Sequence, residues 1–274
     1  MPLILLTNDD GVHSPGLLAA ARSLEPLGDL LIVAPATQQS GASRSLRSGF
    51  DGRIFPTLLE EDGHHFPAWQ LDGTPAQAVL YGVVEVAARL AGRRPDLIVS
   101  GINYGENLGS QTLISGTVGA AIQGGDMGIR SLAVSLQTSK DYHLSHGQDV
   151  DWSAAVHWLR FFAGATLGAQ PWPPDVAALK IDIPDAASAQ TPWRLTRQSS
   201  QEYFVSRSWR AGGLETPSPL DYEVFVDDEH LEADSDIRAF AIDRIISVTP
   251  LSANLSARAS LPAFETLLRQ AAAG

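Results

Sequence analysis

Short apolar runs alternate with longer segments of helical periodicity along the first half of the chain. The runs lack a regular polar–apolar alternation, which is typical of strands in a parallel sheet that is covered on both faces. The apolar runs predict four strands, at residues 3–7, 30–34, 96–100 and 131–136. The periodic segments predict three helices, at residues 17–27, 76–90 and 117–127. The predicted fold class is therefore α/β, with a mostly parallel sheet between helical layers.

The second half of the chain is less regular. Its apolar pattern predicts a helix at 152–162, strands at 177–183 and 245–251, and an amphipathic terminal helix at 261–272. Polar residues alternate with aromatic or β-branched residues over 196–226, around Gly212 and Gly213, which predicts a hairpin that projects from the body of the protein.

These patterns divide the chain into a core at residues 1–140 and a C-terminal extension at residues 141–274. The boundary is soft, because the strand predicted at 177–183 would extend the sheet of the core. The whole chain, with 274 residues of which 44% are hydrophobic, is long enough to bury a full core.

Charge and cysteine content exclude several classes of protein. Nineteen Lys and Arg residues against thirty-one Asp and Glu residues give a formal net charge of −12, which argues against nucleic acid or an anionic membrane as a partner. The absence of cysteine excludes disulfides, thiolate nucleophiles and cysteine-ligated zinc, although simple avoidance of oxidisable residues also accounts for it. We find no signal-peptide pattern and no run of about 20 apolar residues, so we expect a cytoplasmic protein.

A polar, glycine-bearing loop follows each of three predicted strands. The first loop carries Asn8, Asp9 and Asp10, the second covers residues 38–45, and the third covers residues 101–109. Because the carboxyl ends of parallel strands share one edge of a sheet, we expect the three loops to meet. Adjacent carboxylates are costly there unless a cation or a proton relieves them. Carboxylate, hydroxyl and amide oxygens suit magnesium, manganese or calcium better than zinc.

Each loop also has a simpler explanation. The Asn8–Asp10 segment fits an Asx turn with a helix cap, the second loop fits an ordinary surface loop, and the glycines of the third fit a flexible connector. The occurrence of all three after predicted parallel strands is what favours a shared site.

A fourth segment, Ser115-Gly116-Thr117, precedes a helix of very small residues. Free backbone N–H groups and the positive end of the helix dipole would receive a phosphate there. A capped helix that packs tightly against its neighbours explains the same pattern, and the two explanations are compatible. Arg44 would add a cation near this edge, although a lone loop arginine is more often a solvated surface residue.

Three histidines carry weaker signals. His13 lies beside the carboxylates, where it would serve as a general acid or base, but capping or surface exposure accounts for it better in the absence of a partner. His64 and His65 follow an acidic segment at 60–62, and we interpret them as part of a polar hairpin turn rather than as metal ligands.

Six ordered motifs resemble those of the SurE family, the stationary-phase survival proteins that act as metal-dependent 5'-nucleotidases. They are TNDDGVHSPG (7–16), APATQQSGASRSL (34–46), LDGTP (71–75), PDLIVSGINYGENLG (95–109), SGTVGAA (115–121) and SVTPL (247–251). The resemblance implies a Rossmann-like core, a C-terminal extension used in oligomerisation, and a homodimer or homotetramer. It also implies hydrolysis of nucleoside 5'-monophosphates to nucleoside and phosphate, with 3'-nucleotides and polyphosphate as further candidate substrates.

The resemblance also assigns residues. It implies one divalent metal ion per subunit, Mg²⁺ or Mn²⁺, with Ca²⁺ as a further candidate in crystals. The implied metal ligands are Asp9, Asp10, Ser40 and Asn103. The phosphate and substrate-binding residues implied with them are Asn8, Ser40, Gly41, Asn103, Asn107, Ser115, Gly116 and Thr117. Four positions depart from the family pattern, and they are Gln77, Ile114, Gln123 and Asp182.

The chemistry of these residue types agrees with phosphomonoester hydrolysis by water. A metal beside Asp9 and Asp10 would neutralise phosphoryl oxygens and acidify a bound water. One aspartate would orient or deprotonate the water, or attack phosphorus itself, and the sequence leaves these roles open. A non-catalytic, metal-dependent nucleotide sensor is the alternative, since it would use nearly the same groups. A dinucleotide-dependent oxidoreductase fits poorly, because no Gly-x-Gly-x-x-Gly opens the first helix.

Overall fold

The computed structural model describes residues 1–61, 63–143, 145, 147, 149–207, 210–218 and 221–272. Eleven strands lie within this part of the chain, and they are β1 Leu3–Thr7, β2 Asp29–Pro35, β3 Ile54–Glu61, β4 His64–Leu71, β5 Leu97–Tyr104, β6 Arg130–Leu136, β7 Ala178–Ile183, β8 Trp193–Leu195, β9 Phe204–Arg207, β10 Asp221–Val224 and β11 Ile246–Leu251. The α-helices in the same part are α1 Pro15–Leu24, α2 Pro75–Tyr81, α3 Ala87–Leu90, α4 Gly116–Asp126, α5 Ser153–Gly168 and α6 Leu261–Ala272.

Nine of these strands form one sheet in the order β3-β4-β2-β1-β5-β6-β7-β11-β8. The central pairs are parallel, whereas β3 with β4 and β7 with β11 are antiparallel. The chain moves outward from β1 to β2 and β4, and then returns to continue from β5 on the other side of β1. The carboxyl ends of β1 and β5 therefore flank the point where the strand order reverses, which is where open α/β sheets bind ligands.

Both faces of the sheet are covered by apolar packing. Ile4 and Leu6 of β1 join a cluster with residues of α1 and α5, whereas Leu3 and Leu5 join a separate cluster with α2 and α4. Every residue of β1 is buried, because both sides of this strand face helices. The predicted α/β class with a mostly parallel sheet is confirmed.

The helix predicted at 76–90 begins at Pro75, where Thr74 forms a capping box with Gln77. The Thr74 hydroxyl accepts from the Gln77 backbone N–H at 3.2 Å, and the side-chain amide oxygen of Gln77 accepts from the Thr74 backbone N–H at 3.0 Å. A π-helical turn at Gly82–Val86 joins α2 to α3, so the helical segment continues to Leu90. Among the described residues, no helix combines the length and apolarity that crossing a membrane requires.

The sequence prediction was wrong or incomplete at three places in the main sheet. The β3–β4 hairpin and the short strand β8 were not predicted as strands. The prediction that the third strand ends at Ser100 was wrong, because β5 continues to Tyr104. A register shift between Ser100 and Asn103 lets Asn103 pair with Ser135 of β6, so the chain stays in the sheet where a loop was expected.

The C-terminal half contributes to two sheets. Strands β7, β11 and β8 continue the main sheet beyond residue 140, while β9 and β10 pair antiparallel in a separate two-stranded sheet. The latter pair is the hairpin predicted within 196–226, and residues 208, 209, 219 and 220 of that prediction lie outside the described residues. The terminal helix α6 has the predicted bounds but buries none of its residues. The division at residue 140 stays a prediction.

Candidate active site

A cavity of about 500 Å³ opens at the point where the strand order reverses. Six of the ten residues that the sequence singled out line it, and they are Asp9, Ser40, Gly41, Asn103, Asn107 and Ser115. The other four, Asn8, Asp10, Gly116 and Thr117, are buried. The loops after β1 and β2, the end of β5 and the start of α4 thus meet at one edge of the sheet.

Asp9 is held at the amino end of α4. Its Oδ1 accepts a hydrogen bond from the Thr117 hydroxyl, and Ser115 caps the helix by accepting from the Val118 N–H at 3.1 Å. Gly116 allows this approach, because a Cβ atom there would lie 2.8 Å from Asp9 Oδ2. Burial and the neighbouring charge of Asp10 raise the pKa of Asp9 to about 7, despite hydrogen bonds from Thr117 that lower it.

Asp10 is anchored from two sides. Its Oδ2 accepts from the Tyr104 N–H at 3.2 Å, and its Oδ1 accepts from Gln38 Nε2 at 3.3 Å. The same Gln38 nitrogen donates to Ser40 Oγ at 3.0 Å. Gln38 therefore brings the Asp10 carboxylate and the Ser40 hydroxyl to one side chain, a link that the sequence reasoning missed.

Asn8 and Asn103 shape the backbone beside the carboxylates. Asn8 Nδ2 donates to the Gly11 carbonyl at 2.9 Å, whereas in an Asx turn the side-chain oxygen accepts from a backbone N–H, so Asn8 does not form the Asx turn offered as the simpler explanation of this segment. Asn8 Oδ1 is buried and has no hydrogen-bond partner among the described residues. Asn103 Nδ2 donates to the carbonyls of Tyr104 and Gly105, which leaves its amide oxygen as the acceptor end.

Comparison with known proteins agrees with this geometry. Residues 4–205 match the sequence profile of the family described as Survival protein SurE. The chain belongs to the SurE family. The protein named 5'-nucleotidase SurE of Thermococcus gammatolerans is 34% identical over 265 residues, which span 97% of this chain and 95% of that protein. The one of Methanothermobacter thermautotrophicus is 40% identical over 206 residues, covering 74% of this chain and 75% of the relative.

A solved SurE structure has the same fold. The crystal structure of the SurE protein from Aquifex aeolicus superposes with a TM-score of 0.74 and covers 97% of this chain and 100% of its own. Sequence identity between the two is 28%. The family resemblance predicted from the six motifs is confirmed.

The residues that the SurE resemblance assigns to a metal fit a hard divalent cation. Asp9, Asp10, Ser40 and Asn103 offer carboxylate, hydroxyl and amide oxygens. Asp9 and Asp10 are only 5% and 3% exposed, so two adjacent carboxylates are buried where a cation would offset their charge. The described residues contain no group of three or more His, Cys, Asp and Glu side chains placed to hold a metal.

The aromatic side of the cavity was not predicted from the sequence. His143, Phe204 and Tyr222 line it, and the rings of Phe204 and Tyr222 meet edge to face with centroids 5.1 Å apart. His143 Nδ1 lies 2.6 Å from the Tyr222 hydroxyl. Phe204 and Tyr222 belong to the β9–β10 hairpin, which follows the Asp9, Ser40 and Asn103 segments far along this SurE-family chain. Their alternating aromatic pattern predicted a hairpin but carried no signal of where it packs.

Several weaker candidates lie elsewhere. His13 is exposed. His64 and His65 begin β4 beside the hairpin turn, where they pair with Glu61 and Glu60 of β3, as the turn interpretation predicted. Arg44 forms an ion pair with Asp126 at the far end of α4, so its charge is already partnered there.

Three of the four departures from the SurE pattern have local partners. Gln77 completes the capping box of α2, and Gln123 accepts from Arg44 Nε at 2.8 Å. Asp182 belongs to a buried ion cluster with Lys180. Ile114 lines the cavity and is 58% exposed. The substitutions therefore leave the carboxylate end of the site unchanged.

Proposed function

We propose that this chain is a divalent-metal-dependent phosphatase that hydrolyses nucleoside 5'-monophosphates to nucleoside and phosphate. The observation that carries the proposal is the buried Asp9–Asp10 pair beside the amino end of α4, where Asp9 and Ser115 line one cavity. This juxtaposes a site for a cation with a site for an anion, which is the arrangement that phosphoryl transfer requires. The relatives named 5'-nucleotidase SurE support the same reaction.

Asp9, Asp10, Ser40 and Asn103 would hold Mg²⁺ or Mn²⁺, one ion per subunit. When bound, the ion supplies Lewis acidity and a water molecule of lowered pKa. The chain itself orients the reactants. Thr117 fixes the Asp9 carboxylate through its hydroxyl, and the positive end of the α4 dipole would favour a phosphate beside it. Asp9 or Asp10 would orient the attacking water or accept its proton.

The aromatic residues would bind the nucleoside. With the phosphate near Ser115 and Asp9, the rest of a nucleotide would extend along the cavity toward Phe204 and Tyr222. Aromatic rings bind nucleobases by stacking, with little discrimination among bases. The proposal therefore includes several nucleotides as substrates, with 3'-nucleotides and polyphosphate as further candidates.

The test is phosphate release from a panel of 5'-nucleotides, 3'-nucleotides and polyphosphate, with Mg²⁺ or Mn²⁺ and then with a chelator. We expect turnover that requires the metal and that falls about 1,000-fold or more in Asp9→Asn, since the variant loses a charged ligand. Asp51→Asn is the matched control, because Asp51 is an exposed ion-pair partner of Arg53 and should leave activity unchanged. Activity that survives both chelation and Asp9→Asn would refute the proposal. Nucleotide binding without turnover would instead identify the sensor predicted as the alternative.

We also propose that the chain assembles as a homodimer or homotetramer through α6. This helix has no buried residue, yet it exposes a row of large apolar side chains, and they are Leu261, Phe264, Leu267 and Leu268. Exposed apolar rows of this kind mark surfaces that associate with another protein. The cytoplasmic location stays a prediction.

A further inference from the structure

A lysine lies at the centre of a buried ion cluster behind the cavity. Lys180 of β7 is fully buried, and its Nζ lies 2.6 Å from Asp182 Oδ2 and 3.0 Å from Asp236 Oδ2. Both aspartates are also fully buried. One cation and two carboxylates thus share a space from which water is excluded, and such a cluster persists only when its remaining polar atoms are hydrogen-bonded.

Both backbone groups of Asn107 are bonded to this cluster. The Asn107 N–H donates to Asp182 Oδ1 at 2.7 Å, and Lys180 Nζ donates to the Asn107 carbonyl at 2.7 Å. The Asn107 side chain donates to Ser135 Oγ at 2.8 Å. Asn107 lines the cavity, so the cluster sets the position of a residue that faces the substrate.

Asp236 connects the cluster to two further segments. Its Oδ2 accepts from the Gly109 N–H at 3.1 Å, and its Oδ1 accepts from the Ser199 N–H at 2.9 Å. Ser199 lies shortly before β9, whose Phe204 lines the cavity. The segment around Gly109 is also joined to that region directly, because the Ser110 N–H donates to the Gln201 carbonyl at 3.0 Å.

Such a cluster fixes the positions of its neighbours more than it adds to the free energy of unfolding. A buried ion pair contributes little net stability compared with apolar residues of the same size, because desolvation offsets the attraction. Its donors and acceptors, however, have fixed directions, and a charged group left without its partner is costly. The cluster therefore favours one arrangement of the Asn107 segment relative to β7 and the base of the hairpin.

We propose that Lys180, together with Asp182 and Asp236, positions Asn107 and the base of the hairpin for substrate binding. Lys180 is a positioning residue, since its ammonium group contacts the backbone of Asn107 rather than the cavity. The inference rests on the proposed nucleotidase function, because Asn107 has a role only if the cavity binds a phosphorylated substrate.

The test is the double variant K180M/D182N. It removes one positive and one negative charge, so the net charge of the cluster is unchanged, and the amide that D182N introduces keeps an oxygen for the Asn107 N–H. The bond from Lys180 to the Asn107 carbonyl is lost, and of its two donors only the Thr112 hydroxyl, at 3.2 Å, remains. We expect KM for a 5'-nucleotide and the inhibition constant of inorganic phosphate to rise together by about tenfold, with a smaller change in kcat. The dissociation constant of Mn²⁺ should stay within about twofold, because the metal-binding residues are not touched.

A double-mutant cycle separates positioning from general loss of structure. If Lys180 acts through Asn107, the double variant should have little further effect on kcat/KM in an N107A background. The control R197M/D234N removes an exposed ion pair of the same half of the chain and should leave all constants unchanged. The single variant D182N keeps the Lys180–Asp236 pair and should raise KM and the inhibition constant of phosphate about threefold. It replaces the double variant in the test if the double variant does not fold.

The inference is overturned if KM and the inhibition constant of phosphate stay within about twofold of the wild type in folded K180M/D182N. Where only D182N folds, the same result in that variant overturns it. Effects that add fully to those of N107A would overturn it as well. If the wild-type chain hydrolyses no nucleotide, the proposed function fails, and the inference is then tested by calorimetric binding of inorganic phosphate in the presence of Mn²⁺. A roughly tenfold weaker binding by the variant would support it, and equal binding would overturn it.

Discussion

Glu106 should make the protein less stable as the pH rises through neutrality. Its side chain is 6% exposed, and its Oε2 has no hydrogen-bond partner among the described residues. Burial raises the pKa of Glu106 from its ordinary value of 4.5 to about 7, against the opposing effect of a hydrogen bond with Tyr203. The nearby charges of Asp182 and Asp185 raise it further.

The sign follows from linkage between protonation and folding. The pKa of Glu106 is higher in the folded state than in the unfolded state. Below about pH 4.5 Glu106 is protonated in both states, so the folded protein keeps its full stability there. That stability is lost progressively between about pH 4.5, where the unfolded chain releases the proton, and about pH 7, where the folded chain releases it. At about 1.4 kcal/mol per pH unit, the loss for Glu106 reaches about 3 kcal/mol by pH 8, as an upper value.

The substitution Glu106→Gln removes this loss and keeps the size of the side chain. We expect the variant to exceed the wild type in free energy of unfolding by up to about 3 kcal/mol at pH 8 and to differ little at pH 5. Urea denaturation at both pH values, with a chelator to remove the contribution of bound metal, measures the difference.

Glu232 offers a control of opposite sign. Its partial burial is outweighed by hydrogen bonds from Ser199 and Ser200, which lower the pKa of Glu232 to about 2. Glu232→Gln should therefore be less stable than the wild type at both pH 5 and pH 8, by a similar amount. If the stability difference between Glu106→Gln and the wild type is the same at the two pH values, the assignment of Glu106 as a group that titrates near neutrality is wrong.

Three further outcomes follow from individual contacts. Gly116→Ala places a carbon atom 2.8 Å from Asp9 Oδ2 and should lower kcat/KM about tenfold or more, whereas Gly164→Ala in α5 meets nothing within 4 Å and should leave activity unchanged. Enzyme assays on the two purified variants would show this, and equal activities would contradict it. Thr74→Ala removes the capping box of α2 and should cost about 1–2 kcal/mol of unfolding free energy by denaturant titration, and a loss below about 0.3 kcal/mol would refute the cap's role. Leu267→Glu puts a charge on the exposed apolar row of α6 and should shift the assembly toward the monomer in light scattering, while an unchanged mass would exclude this face as the interface.

The elements that the sequence predicted correctly are those with strong local signals. Strands such as β1 are buried on both faces and are therefore uninterrupted apolar runs, and the start of α2 carries a capping residue followed by proline. The β3–β4 hairpin was missed because its strands contain Pro56 and Pro67, and proline weakens a strand prediction. Pro56 is tolerated because β3 is the edge strand of the sheet, and Pro67 because it precedes the part of β4 that pairs with β2, which begins at Ala68.

The carboxylate end of the site was predictable because parallel strands bring their carboxyl ends to one edge, so each loop could be placed from its own strand. Asp9, Ser40 and Asn103 accordingly line one cavity. The placement of Asn103 inside β5 was not predictable, since a register shift depends on pairing with β6 rather than on local residues.

The family, the α/β class, the central strands and the oxygen-rich set of candidate ligands were all predictable from the sequence, because these depend on short-range patterns and ordered motifs. Only the tertiary structure brought Phe204 and Tyr222 to the cavity and placed Lys180 between Asp182 and Asp236 behind Asn107. These contacts join residues that are far apart in the chain. A buried ion cluster or an aromatic side of a cavity therefore cannot be predicted before the fold has brought its members together.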